Sequence, residues 1–130
     1  MGAWGHRNFD NDMAADYLAG LREGLSEADL VATLEAAVED DYLDADAASE
    51  ALAAAEIIAA NQQKPAADFP PDALTSAAAI RIAEPELVKK LARKAVKAIL
   101  KESELRELWE ESDEYKDWRA VQRELLERLA

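Results

Sequence analysis

Residues 44–63 read DADAASEALAAAEIIAANQQ, a run with nine alanines and neither Gly nor Pro. Alanine has the highest intrinsic helix propensity, so the run predicts a helix capped by Asp44 or Asp46 and ending near Gln63. Ala48, Ala51, Leu52, Ala55, Ile58 and Ala59 then share one face, small enough for a neighbouring helix to approach closely. Two helices are expected upstream. Asp10, Asn11 and Asp12 offer caps before Met13, Tyr17, Leu18 and Leu21, and Gly20 and Gly24 mark where that helix frays and stops. Ser26 with Asp29 resembles a capping box before the stripe Leu30, Val31, Leu34 and Val38.

Downstream, Lys64-Pro65 through Pro70-Pro71 reads as a connection, because each proline removes an amide donor and biases the residue before it away from the helical region. A short, weakly patterned helix is expected around Ala73–Ile82. Pro85 then opens a strong one whose buried face is Val88, Leu91, Ala92, Ala95, Val96 and Ile99. Ser103 caps a further stretch with Leu105, Leu108 and Trp109. Ser112-Asp113 are expected to cap a last helix with Trp118, Val121, Leu125 and Leu129. The prediction is an all-α fold: an irregular bundle of about six helices in a single domain over 1–130, with an irregular segment at 1–9 and a proline-containing connection at 64–72. Leu18, Leu34, Leu52, Leu91, Ile99, Trp109, Trp118 and Leu125 are its expected core.

The formal net charge is −13, and the excess is local. Residues 1–84 carry four basic and seventeen acidic side chains, whereas residues 85–130 carry eleven of each. Between Glu23 and Asn61 there are eleven carboxylates and no Lys or Arg. Such a field repels nucleic acid and anionic membrane and favours a basic protein partner. There is no cysteine, hence no disulfide, thiolate metal site or cysteine nucleophile, and nothing calls for an oxidising compartment. The opening residues lack the charged and apolar regions of a signal peptide, and no stretch approaches the ~20 apolar residues of a spanning helix, so a cytoplasmic protein is expected.

Few residues invite catalysis. The single histidine, His6, stands in the irregular N-terminal segment, Ser26, Ser103 and Ser112 read as caps, and no strand-turn-helix pattern accompanies any serine, Ser49 and Ser76 included, so no triad is read. Zinc fails for want of His and Cys, and a di-iron site for want of any Glu-x-x-His. Aligning Asp40 with the first position of a calcium loop puts Tyr42 at the third, Ala45 where the turn needs Gly and Ala51 where a bidentate Glu should close the shell. No metal and no cofactor are expected. Lys89, Lys90, Arg93, Lys94 and Lys97 read as a solvated face or as partners of the acidic helices at 26–40 and 44–63.

The N-terminal Met1-Gly2-Ala3-Trp4-Gly5-His6, the following Asn8-Phe9-Asp10-Asn11-Asp12 and Ala15-Asp16 resemble a family of small bacterial proteins, domain of unknown function 4259. Leu105-Arg106-Glu107-Leu108-Trp109-Glu110-Glu111-Ser112, with Trp118 following, is similar to the same family, so the resemblance spans nearly the whole chain. Arg7 departs from it, standing where a small residue, often Gly, is expected. What the resemblance implies is a bacterial origin, a unit made of Trp4, Gly5, Phe9, Asn11 and Asp12, and Trp109 as its packing partner. It brings no activity with it.

Two functions are open at this point. The first is a non-enzymatic interaction module that binds a basic partner, in its concrete form an inhibitor or immunity-like protein, through Glu35, Glu39, Asp40, Asp41, Asp44 and Asp46. The second is a small-ligand binder or enzyme with a pocket between the Trp4–Phe9 segment and the C-terminal helices, drawn from Trp4, His6, Phe9, Asn11, Asp12, Asp16 and Trp109. A deep pocket holding a shifted carboxylate favours the second; a flat acidic face without a cleft favours the first.

Overall fold

The computed structural model describes residues 5–130. Trp4 lies outside them. Seven helices follow one another: α1 (Asp12–Glu23), α2 (Glu27–Glu39), α3 (Ala45–Asn61), α4 (Pro71–Ala79), α5 (Pro85–Lys101), α6 (Glu104–Glu110) and α7 (Tyr115–Arg128). The fold is all-α, with no strand among the described residues. The weakly patterned stretch is a full helix, α4, and it begins inside the expected connection. Pro71 takes its first position, where a missing amide hydrogen leaves no bond unmade.

α3 is the axis of the molecule and packs against each of the other six helices. The expectation of one buried face is corrected here: every residue from Ala51 to Ala60 is buried. Alanine hides the polarity pattern that would mark an amphipathic helix, and its small side chain is what lets six neighbours close around one rod. Leu52, Ile57 and Ile58 supply the bulk, at roughly 1.5–3 kcal/mol of transfer free energy each.

Leu34, Leu52, Ile99, Trp109, Trp118 and Leu125 are buried as expected, whereas Leu18 and Leu91 are only half-buried. The core line of α1 runs through Ala14 and Leu21, leaving Leu18 on its flank. Leu91 lines a shallow groove between α2 and α5 with Val31 and Leu87, and Leu87 is 59% exposed.

The ends follow local chemistry. Asn11 accepts from the Ala14 amide, and Gly24 closes α1 at a φ of 99°, a left-handed conformation that suits glycine. Ser26 and Asp29 form the capping box, with Ser26 N donating to Asp29 Oδ2 at 2.9 Å. Asp44, not Asp46, caps α3. Ser112 does not cap α7, which starts after Glu114 without a side-chain cap; its hydroxyl donates to Trp109 O at the end of α6. The α2–α3 turn is tied to the α5–α6 turn, since Glu104 N donates to Leu43 O at 2.9 Å and Ala45 N to Glu104 Oε1 at 2.7 Å. Among the described residues no helix is long and apolar enough to cross a membrane.

Candidate functional site

The segment leading into α1 is held by its own short-range bonds. Asp10 N donates to Arg7 O at 3.0 Å and Arg7 N to Asp10 Oδ2 at 3.3 Å. A Cβ on Gly5 would meet the Asp10 carboxylate and displace the oxygen that accepts from Arg7 N. Arg7, the departure from the family pattern, fits the turn and pairs with Asp68 at 3.3 Å. Phe9 is buried edge-on against Phe69, ring centroids 5.5 Å apart.

Asn8 carries the segment into the core. Its Nδ2 donates to Glu56 Oε2 at 2.8 Å, which leaves its Oδ1 to accept from Gln122 Nε2 at 2.7 Å. Arg128 closes the network, donating to Glu56 Oε1 at 2.9 Å. Glu56 is 1% exposed. Burial pushes its carboxyl above the ordinary range, against the opposing pull of Arg128 and Asn8. Gln122 Oε1 is buried without a hydrogen-bond donor among the described residues.

Trp109 and Trp118 stack at 6.5 Å, and Tyr115 stacks on Trp118 at 6.2 Å. Trp109 and Trp118 form the floor of a cleft of about 400 Å³ between the chain's opening segment and the C-terminal helices. Arg7, Asn8, Asn11, Asp12 and Met13 make one wall; Ala45, Asp46, Ser49 and Leu52 of α3 make another; Leu105 and Leu108 join Trp109 on the third. Ser49 is 6% exposed and supplies the one hydroxyl of this lining.

A second, more polar cleft of about 500 Å³ lies on the other side of the same segment, with His6, Glu56, Asp68, Asp117 and Arg128 in its lining. His6 Nδ1 is 3.0 Å from Glu114 Oε1. With Asp117 these two have ligand atoms within 4.8 Å of one another, the one group of metal-ligand spacing among the described residues. Both carboxylates are exposed, and the His6–Glu114 pair accounts for the approach.

The proposed unit is therefore divided. Asn11, Asp12 and Trp109 line the first cleft; His6 lines the second; Phe9 is buried in the core; Asp16 is exposed one turn further along α1. Glu35, Glu39, Asp40, Asp41, Asp44 and Asp46 are all exposed, running from the second half of α2 through the turn into the start of α3, and none enters an ion pair among the described residues. Tyr42 in that turn is pushed up to about 12 by its hydrogen bond to Glu107, with Glu104 and Glu102 adding negative charge. Those three glutamates extend the acidic end beyond what the local sequence shows.

The family described as domain of unknown function (DUF4259) matches residues 2–121. The chain belongs to this family. No curated protein and no solved structure matches it. The matched span takes in all three walls of the first cleft and stops short of Gln122 and Arg128.

Sequence reasoning missed Ser49, Glu56, Gln122 and Arg128. Glu56 left a signal, being the single charged residue between Ala51 and Ala60. Ser49 left none, because an isolated serine in an alanine helix is unremarked until a cleft opens beside it.

Proposed function

We propose that the domain binds a small ligand, without catalysis, in the cleft floored by Trp109 and Trp118. The observation that carries this is the cleft itself: about 400 Å³, with an apolar floor and a few polar groups on its walls. Ligand sites commonly have this build and a volume of roughly 300–1,000 Å³. The Ser49 hydroxyl adds a polar group on the α3 wall. Ser49 and His6 line different clefts and so make no nucleophile–base pair. A cysteine-free, acidic, cytoplasmic bacterial protein is the setting this reading assumes.

The test is a screen of small aromatic fragments by calorimetry against the wild-type chain and Leu108→Trp, which narrows the cleft from a half-exposed position. Binding to the first and not to the second supports the site; equal binding to both places the ligand elsewhere.

The acidic end favours a second reading, an interaction module for a basic protein partner, inhibitor or immunity-like. Its support is the set of exposed carboxylates from Glu35 to Asp46, which α5 leaves without an ion pair among the described residues. Val38 and Tyr42 are large apolar side chains exposed in the same region.

A further inference from the structure

Resting on the reading of this cleft as a ligand site, we propose that its ligand is a small organic cation, an ammonium group carried on an apolar body. The charges on the walls decide the sign. Arg7 is the only basic residue of the lining, and its guanidinium is engaged by Asp68 at 3.3 Å. Asp12 and Asp46 stand on opposite walls, both exposed and neither in an ion pair among the described residues. Each sits in the first turn of a helix, whose amino end contributes roughly half a positive charge. That is too little. α1 sets one full negative charge against it, and α3 sets two, since Asp44 caps the helix that carries Asp46.

The same two α3 charges act on Glu50, one turn further along the helix and outside the cleft lining; its carboxyl is raised by burial and then by Asp46 and Asp44. An anionic ligand would meet this field unpaired. A neutral one would take water from the carboxylates and return at most a hydrogen bond, with no charge to offset theirs. A cation satisfies both, while Leu52, Leu105, Trp109 and Trp118 receive its apolar body and the Ser49 hydroxyl offers an acceptor.

Three probes of one size separate the possibilities: 2-phenylethylammonium, 2-phenylethanol and 3-phenylpropionate, titrated at low salt while the tryptophan emission is followed. The expected result is that the ammonium binds about tenfold more tightly than either of the others, the scale of one partly screened charge pair. Asp12→Asn and Asp46→Asn, which keep size and fold, should each weaken the ammonium severalfold and leave the alcohol unchanged. If the alcohol or the carboxylate binds as tightly as the ammonium, the cation assignment is overturned and the cleft stands as a ligand site of another class. If all three leave the tryptophan emission unchanged at millimolar concentration, the cleft reading falls with it.

Discussion

Asn8 Nδ2 donates to Glu56 Oε2 at 2.8 Å, a bond between the opening segment and the middle of the central helix. It places one wall of the cleft. The asparagine is held on its other side by Gln122, so its orientation is fixed by an acceptor and a donor at once. Segment 5–11 is thereby anchored to α3 and α7, with a cleft on either side of it.

Removing one member of that network should be costly. Arg128→Ala leaves Glu56 charged and buried without its cation, and a loss of about 3–5 kcal/mol is expected in urea unfolding. The double variant Glu56→Met with Arg128→Leu should recover part of it, because an apolar pair has no charge to desolvate while Asn8 Nδ2 loses its acceptor. A double variant as unstable as Arg128→Ala would show that the cost lies in packing rather than in charge.

Trp118 is 2% exposed and stacked between Trp109 and Tyr115. Trp118→Ala should destabilise the domain by roughly 3–5 kcal/mol, the cost of emptying a large aromatic site. A change within about 0.5 kcal/mol, the scale of surface substitutions, would remove Trp118 from the core.

Glu50 titrates above the ordinary glutamate range, through burial first and the charges of Asp46 and Asp44 second. Its folded value is the higher one, so the unfolded chain gives up this proton first as pH rises. The group therefore withdraws stability as pH climbs from about 4.3 to the raised folded value, and the loss persists above it. In a carbon-13 NMR titration, Asp46→Asn should move Glu50 back toward the ordinary range. An unchanged titration would leave burial and Asp44 as the causes of the shift.

The acidic end should be strained by its own charge. Glu39 lies in the last turn of α2, which carries no basic residue of its own to offset the negative end of the helix dipole. Adding salt to the free protein should raise its melting temperature as the repulsion is screened. Replacing Asp40, Asp41 and Asp44 by Asn should raise it further, by roughly a few tenths of a kcal/mol per site, since Asn at position 44 can still cap α3. A melting temperature that falls with salt would mean that the lysines of α5 already neutralise this end.

Helices, caps and most of the core were legible because they rest on neighbours in sequence. Ser26 with Asp29 and Pro85 at the start of α5 are readable within one turn. α3 shows the limit: its pattern gave a helix, but nothing in a run of alanines says that six others surround it. The clefts were legible only in outline. Their walls come from residues 7–13, 45–52, 105–109 and 118, and the network behind them joins Asn8, Glu56, Gln122 and Arg128 across the whole chain. No local spacing encodes such a meeting.

The central claim is that the cleft over Trp109 and Trp118, and not the acidic end, is where the domain takes its ligand. A nitrogen-15 NMR titration with 2-phenylethylammonium at moderate salt tests it most directly. The account predicts shifts concentrated in the indole N–H signals of Trp109 and Trp118 and in the amides of Asn11, Asp12, Asp46 and Ser49. Shifts confined to the turn from Glu39 to Asp44, with the indole signals still, would contradict it.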